Sequence, residues 1–363
     1  MAANDRIFYA CQGVSVAPFA STANVTTGQM VHGLQSVGVT TNFSLEQAFE
    51  LGQIEIYENI EGTPEIEVTM EKVIDGYPLI YHLATTGVQG GSEGLVNRSK
   101  QRCDVRLGIF PEEESNIGDG TGVVPVEVYM SGMYVSSISY SIPVDGNMTE
   151  SVTLVGNNKQ WYRDGGGKLT TTSVNNFDGA DYPLALNPDS ADGIAAADPR
   201  GGIQQKEDVI MSGCIFPSTM EGVAGATPGN GNGIIHVQSV SVSTDFSRED
   251  ILELGRKTPY ARPAAFPIEV SCEIEAISTS GDFVTATEAG DPSLYETIDS
   301  GNNTPNDSIL IQTRSGFGLA LGAKNRLQSV SYGGGDAGGG NVSCTYSYVN
   351  YNDLNVFMDT SDY

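Results

Sequence analysis

The sequence is short of basic residues. It has 363 residues, with 18 Lys and Arg against 45 Asp and Glu, and a formal charge of −27 at pH 7. A protein that grips nucleic acid through phosphates needs a basic face, so this chain would repel DNA or RNA over most of its surface. Such an acidic surface either serves solubility or keeps the protein from sticking to a polyanion, and composition does not separate the two.

Reactive side chains are scarce as well. None of the five Cys stands in a CxxC pair, so a zinc or redox motif is not expected, and buried thiols fit a reducing cytoplasm. His32, His82 and His236 are far from one another and from any Cys in sequence. The Gly-rich stretch 165–168 fails as a phosphate loop because Leu169 stands where Ser or Thr is needed. We therefore expect no catalytic residue, no cofactor and no metal.

Long apolar runs are absent too. No stretch approaches the roughly 20 apolar residues of a membrane span, and the first residues carry no basic region followed by an apolar run. This predicts synthesis in a cytoplasm and no membrane partner. Hydrophobic residues still make up 39% of the chain, charged residues only 17%, and there are 44 Gly. That balance supports real cores built from strands and turns rather than long helices.

What the sequence does have is an internal repeat. The segment Gln35–Gly52 returns 203 positions later as Gln238–Gly255, with 11 of 18 positions identical. After a one-residue slip, 66–71 matches 268–273, and further on Ser137–Tyr140 matches Ser329–Tyr332. The matches keep their order along the chain, which predicts two diverged copies of one domain.

The repeat divides the chain into three parts. Residues 1–160 form the first domain and residues 208–363 the second. Between them, residues 161–207 are rich in Gly, Asp, Asn and Ala and have little apolar periodicity, which predicts a linker or extended arm.

Each copy has the same predicted elements. Residues 35–43 alternate as a half-buried strand, and Ser44 then fits the N-cap of a short helix that ends at Gly52. The second copy repeats this helix over 247–255. A long strand over 123–142, the turn 144–147 and a returning strand predict a β-hairpin. The predicted fold is mainly β, with two tandem β-sandwiches or partial barrels, each with one flanking α-helix.

The predicted helix and its following loop differ in charge between the copies. The first copy is acidic there, with Glu46, Glu50, Glu55 and Glu58 among its residues, whereas the second copy carries Arg248, Arg256, Lys257 and Arg262. One interpretation is drift on two solvated surfaces. The other is that these segments face each other across a domain or subunit interface, with opposite charges fixing which copy neighbours which.

Taken together, the repeat resembles a known family. The strand 239–245, the segment 247–260, the strand 266–275 and the hairpin 137–154 look like those of the major tail tube proteins of tailed bacteriophages. The resemblance covers both copies but not the linker, which single-domain tube proteins lack.

The resemblance implies a structural role. Six such folds form a ring in which long hairpins join into an inner barrel, and stacked rings form a hollow tube through which viral DNA passes without specific binding. A chain with two folds would complete the ring with three copies, a homotrimer that is pseudo-hexameric. Because single-domain tube proteins lack the linker, a true hexamer with an extra outer domain is the alternative. The implied location is the virion tail, assembled in the host cytoplasm, with tail terminator, baseplate and sheath proteins as further partners.

Two alternatives stay open at this stage. One is a different virion β-protein, such as a capsid decoration or baseplate component. The other is a tandem carbohydrate-binding or adhesion module, although a single Trp is few for such a surface. An enzyme is the class that the sequence favours least, because the copies share no polar cluster that resembles a site.

Overall fold

The structure is a computed structural model that describes residues 12–19, 29–52, 54–86, 94–109, 126–163, 202–211, 213–217, 236–277, 308–333 and 341–358. Within them the chain is mainly β. The first half contains β1 Gln12–Pro18, β2 Gln29–Met30, β3 Leu34–Asn42, β4 Leu45–Phe49, β5 Ile56–Glu61, β6 Glu65–Val73, α1 Ile80–Thr85, α2 Leu95–Arg98, β7 Cys103–Ile109, β8 Val126–Pro143, β9 Thr149–Gly156 and β10 Asn158–Arg163. The second contains β11 His236–Asp245, β12 Glu269–Ile277, β13 Leu310–Gln312, β14 Phe317–Ala320, β15 Arg326–Gly333, β16 Ser343–Tyr351 and β17 Asn355–Met358.

One antiparallel sheet runs through both halves. Its strands follow the order β3, β6, β9, β8, β11, β12, β16, β15, and we call this the long sheet. The first four strands come from the first half of the chain and the last four from the second. The halves are therefore joined by backbone hydrogen bonds between β8 and β11, in addition to side-chain packing.

The 18-residue strand β8 belongs to two sets of strands. Its first part, from Val126, lies between β7 and β10, and β1 and β2 continue that set beyond β7. Its second part, up to Pro143, lies between β9 and β11. In the second half, a small sheet of β13, β14 and β17 lies beside the long sheet. Buried apolar side chains from both halves of the chain form one continuous core.

The two halves of the long sheet share their strand order and irregularities. The order β3, β6, β9, β8 in the first half matches β11, β12, β16, β15 in the second. Gln35 and Gln238, which are equivalent in the sequence repeat, are each skipped in the pairing with the next strand. Ser136 and Gln328 are skipped in the same way within the two hairpins. Because a bulge re-aims a strand, shared bulges give the halves similar bends.

The strand pairing corrects one alignment made from sequence. The sequence repeat matched 66–71 with 268–273. In the structure the bulge at Gln35 lies opposite Glu71 and Lys72, and the bulge at Gln238 lies opposite Glu275 and Ala276. Glu71 is thus equivalent to Glu275, two residues further along than the sequence match. A shift of two residues keeps the same side chains on the same face of the strand. The alternation of polar and apolar residues is therefore compatible with both alignments.

The predicted hairpin of the first half is confirmed. Strands β8 and β9 pair through Tyr140 opposite Glu150, and Gly146 in the turn has a φ of 110° that only Gly adopts readily. The corresponding hairpin of the second half is β15 and β16, and its Gly-rich connection lies outside the described residues.

The predicted capped helices are wrong. Residues 45–49 form strand β4, which pairs with β5 as a hairpin, and 248–264 forms a loop with bridges from Arg248 to Ala264 and from Ile251 to Ala261. The described residues leave the apolar side chains of the supposed helical face uncovered, since Leu45 and Phe49 are exposed. Without burial a nine-residue helix has little support, and strand pairing satisfies the backbone instead.

The helices α1 and α2 stand elsewhere, in the first half. Glu150 of β9 is fully buried and accepts hydrogen bonds from the backbone N–H groups of Ile80 at 2.6 Å and Tyr81 at 3.1 Å. The Tyr140 hydroxyl donates a third, at 3.0 Å. These bonds fix the start of α1 against the long sheet, and burial raises the pKa of Glu150.

Helices α1 and α2 also tie the first half to the end of the second half. The buried His82 ring donates from Nε2 to the carbonyl of Val356 at 2.9 Å, and the N–H of Leu95 donates to the carbonyl of Leu354 at 3.0 Å. Burial lowers the pKa of His82 to about 4. Because the effect of burial outweighs that of the hydrogen bond to Val356, which acts in the opposite direction, the ring is neutral at pH 7.

The buried His82 predicts acid sensitivity. Its folded pKa lies below the unfolded value of about 6.5, so its contribution is fully present above that pH and is lost as the pH falls towards 4. The loss is about 3 kcal/mol by pH 4. We expect the urea midpoint of the wild type to fall from pH 6.5 to 4.5 more steeply than that of His82→Gln, which keeps an N–H donor but cannot titrate. Parallel declines would contradict this role.

Candidate assembly interface

The joint between the two halves is a regular antiparallel pairing. Strand β11 lies along β8 from Ser239 opposite Pro143 to Asp245 opposite Ser137. Beyond the strand end, the N–H of Phe246 donates to the carbonyl of Ser136 at 2.8 Å. We call this pairing the internal joint.

Apolar side chains seal the internal joint. The ring of Phe246 is fully buried at the strand end, and Val242 is buried opposite Tyr140. Tyr140 of the first half also packs on Phe317 of the second, with ring centroids 5.7 Å apart. Burying such aromatic side chains contributes about 2 to 3 kcal/mol each, so the joint is stabilised by packing as well as by backbone bonds.

Arg248 anchors the loop of the second half on the first. Its Nε donates to the carbonyl of Val135 at 2.8 Å, and its guanidinium lies 4.9 Å from the ring centre of Tyr134 and 5.3 Å from that of Phe246. Burial lowers the pKa of Arg248 to about 10, so it is still charged at pH 7. A planar cation between two rings and a carbonyl is a contact that Lys would not reproduce.

A second contact across the joint centres on Arg262. Its buried side chain reaches Glu65 of the first half at 3.2 Å and Asp250 of its own loop at 2.5 Å. Close by, the hydroxyl of Thr63 donates to the carbonyl of Lys257. The loop 247–264, which we call the second loop, is therefore held against the first half of the chain at several points.

The structure separates the interface residues predicted from sequence into two groups. Arg248 and Arg262 contact the first half directly, and Lys257 does so through its carbonyl group. Arg256 instead pairs with Glu253 of its own loop at 3.2 Å. The predicted acidic partners lie on the hairpin of β4 and β5, or in its turn, and are exposed: Glu46, Glu50, Glu55 and Glu58. Among the described residues, the structure places none of these four in an ion pair with the four basic residues.

The outer strands of the long sheet have one open edge each. Among the described residues, β3 pairs with β6 alone and β15 pairs with β16 alone. Phe43, the equivalent of the fully buried Phe246, is 71% exposed, and Tyr332, the equivalent of Tyr140, is 51% exposed against 1%. Sequence reasoning placed Phe43 at the end of a half-buried strand, just before the predicted helix. The signal it missed was that the repeat places the same aromatic residue at the end of both strands.

Exposed apolar side chains also cluster on the loops that extend from these strands. On the hairpin of β4 and β5, which with its turn we call the first loop (44–62), and on the second loop, several large residues face solvent: Leu45, Phe49, Leu51, Ile54, Tyr57, Ile60, Leu252, Leu254 and Tyr260. Exposed apolar patches of this kind are typical of interaction surfaces.

One face of the long sheet is polar. Serines of four strands, Ser139, Ser151, Ser243 and Ser271, line a shallow groove across the internal joint, together with Glu269. Along β6 and β12 the exposed or half-buried positions of this face include Glu67, Glu71, Glu273 and Glu275, while the alternate positions are buried. The face therefore presents hydroxyl and carboxylate groups, whereas the opposite face packs into the core.

The described residues contain no group of three or more His, Cys, Asp or Glu arranged to hold a metal ion. They also contain no helix long and apolar enough to cross a membrane.

Comparison with protein-family models gave no match, and comparison with curated proteins gave none either. Among solved structures, the chain is similar to the cap that terminates the tube of the anti-feeding prophage, at 16% identity and a TM-score of 0.32, over 45% of this chain and 95% of the cap chain. It is also similar to a chain of the sheath–tube complex of PVC, an extracellular contractile injection system, in the extended state. That match has 14% identity and a TM-score of 0.29, over 44% of this chain and 93% of the other. Similarity at this level identifies no function.

The contacts of Arg262 predict that it holds the second loop in place. Replacing it by Gln removes its bonds to Glu65 and Asp250, whose own side chains are partly exposed, so we expect a loss of about 1 to 2 kcal/mol of stability. Limited proteolysis should then cut the second loop faster than in the wild type. The half-exposed Arg256→Gln is the matched control and should leave both unchanged. Equal cleavage of the second loop in wild type and Arg262→Gln would refute the anchoring role.

Proposed function

We propose that this chain is a structural subunit that assembles with copies of itself into a ring, and that stacked rings form the wall of a phage-type tail tube. The observation that carries the proposal is the internal joint. It pairs β8 with β11, and it leaves open two edges, β15 and β3, that are the equivalents of those same two strands. Each chain therefore contains one complete joint and presents, at its two open edges, the two strands that a second joint of the same kind would need.

The equivalence predicts how two chains meet. Strand β15 of one copy pairs with β3 of the next as β8 pairs with β11. Since Val242 lies opposite Tyr140 in the internal joint, Val39 is expected opposite Tyr332 of the next copy. Phe43 would then become buried as Phe246 is, and the open strand edges, which are a liability in an isolated sheet, would be paired.

Repetition of this joint generates a closed ring. A head-to-tail contact closes if its rotation divides a full turn, and a joint repeated within and between chains rotates each unit by a similar angle. The family resemblance implies six units in a ring, so three chains with two units each complete it. The unmatched linker 161–207 lies mostly outside the described residues.

The polar face of the long sheet suits the inside of such a ring. The opposite face is occupied by the core, so closing the sheet leaves the hydroxyl and carboxylate groups facing the channel. Carboxylates repel phosphates, and DNA would pass without sticking. The exposed apolar side chains of the first and second loops would contact the next ring, or the terminator, baseplate and sheath components. The proposal assigns the chain no catalytic activity.

Phe43 and Phe246 provide a matched test. Phe246→Ser removes a fully buried ring, and we expect the chain to lose about 3 to 5 kcal/mol of stability. Phe43→Ser removes an exposed ring, which should change the stability of the single chain by no more than about 0.5 kcal/mol but prevent ring formation. Thermal unfolding measures the first effect, and negative-stain microscopy with mass photometry measures the second.

The same experiment separates the proposal from its alternatives. Normal rings from Phe43→Ser would contradict the proposed joint. Wild-type rings that never stack would favour another virion ring component, such as a baseplate protein. A wild type that stays monomeric and binds glycans would overturn the structural role.

Cross-linking tests the register of the joint between chains. Thr40 and Ser331 are expected to lie opposite each other, as Ser243 and Ser139 do in the internal joint, and both are exposed in the single chain. Under oxidation the double variant Thr40→Cys with Ser331→Cys should give covalent trimers on denaturing gels. The control Ser36→Cys with Ser331→Cys moves one thiol about 13 Å along the strand. It should remain a monomer, as should each single variant. Efficient cross-linking of the control would show a different register.

A further inference from the structure

The internal joint carries its positive charge on the loop side. Arg248, from the second loop, lies on Tyr134 of β8, and Arg262 from the same loop reaches Glu65. The strand side of the internal joint contributes an aromatic ring and a carbonyl group at this point, but no basic side chain. The equivalent positions on the first loop and on β15 would form the joint between one chain and the next.

The equivalent positions follow from the strand pairing. Leu45 pairs with Glu61 in the first loop, as Arg248 pairs with Ala264 in the second, so Leu45 takes the place of Arg248. Because residues directly opposite on paired strands point to the same face, Glu61 lies beside Leu45 on the face that the second loop uses for contact. The acidic Glu61 therefore replaces the buried Ala264.

The strand side changes as well. Tyr134 lies opposite Val155, just before the bulge in the first hairpin, and Arg326 lies opposite Val349 at the same position in the second. Arg326 therefore replaces Tyr134. It is exposed at the open edge of the long sheet, and Lys324, two residues earlier, is exposed too.

We infer that Glu61 of one copy forms an ion pair with Arg326 of the next copy, so that the joint between chains has the opposite charge polarity to the internal joint. This inference rests on the proposed ring assembly. The partner is a second copy of this chain, identified by the internal template and by the complementary charges. In the internal joint the basic side chain comes from the second loop, whereas in the joint between chains it would come from strand β15.

Opposite polarity would make the two joints exclusive. If the second loop of one copy approached the β15 edge of another, its two arginines, Arg248 and Arg262, would lie next to positive charges. Those charges belong to Arg326 and Lys324. Such like-charge contacts disfavour wrong partners more than they stabilise right ones. The halves would therefore alternate around the ring, and two second halves would not pair.

Charge reversal tests the inference on the full-length chain. Arg326→Glu and Glu61→Lys should each weaken ring formation by at least about tenfold, and the double reversal should restore it, because the pair is then rebuilt with exchanged charges. Arg314→Glu is a matched control, since Arg314 is exposed in the same half but lies on the turn between β13 and β14. It should assemble as the wild type does. Sedimentation velocity across protein concentrations gives the ring fraction, and circular dichroism checks that each variant is folded.

The outcomes distinguish the pair from the ring itself. Wild-type rings that Arg326→Glu and Glu61→Lys leave unchanged would overturn the ion pair but keep the proposed function. Two weakened single reversals with no recovery in the double variant would also overturn the pair. If the wild type forms no rings at any concentration, the proposed function and this inference fail together.

Discussion

The unsatisfied backbone edge of a β-sheet is the constraint on which the rest of this structure depends. Strand β11 pairs with β8 and so joins the halves into the long sheet, but it moves the open edges outward rather than removing them. Along those outer edges, the N–H and C=O groups of β3 and β15 pair with no other described strand and need partners from elsewhere, or water. The open edges belong to the strands that are equivalent to the two that the internal joint pairs.

The differences between equivalent residues follow from that constraint. Phe246 and Tyr140 are buried because the internal joint covers them, while none of the described residues covers Phe43 and Tyr332, which are exposed. Burial and exposure thus report the position of each residue relative to a joint rather than its intrinsic preference. Retaining an exposed Phe at the end of β3 makes physical sense if a neighbour covers it.

Much of the strand structure was predictable from the sequence, because alternating polarity has a local cause. The strands β3, β6 and β12, and the hairpin around Gly146, follow from period-two patterns and turn residues. The helix at 44–52 was predicted wrongly because caps and spacing describe a helix without saying whether anything covers its apolar face. The left-handed Gly52, with φ of 93°, serves a hairpin turn instead. The positions of α1 and α2 depend on Glu150 and on a partner strand far along the chain, so no local pattern reveals them.

The candidate interface was only partly within reach of the sequence. Charge contrast drew attention to Arg248 and Arg262, which the structure places on the first half of the chain. It could not show that Arg256 pairs within its own loop, nor that Glu61, rather than Glu46 or Glu58, shares a face with Leu45. Those distinctions depend on register, and register depends on which strands pair.

The most direct measurement is a cryo-EM reconstruction of the assembled protein that resolves individual strands. The account predicts a ring of three chains in which β15 of each copy pairs with β3 of the next, with Tyr332 opposite Val39 and Phe43 buried. A ring joined through other surfaces, with β3 and β15 open to solvent, would contradict it.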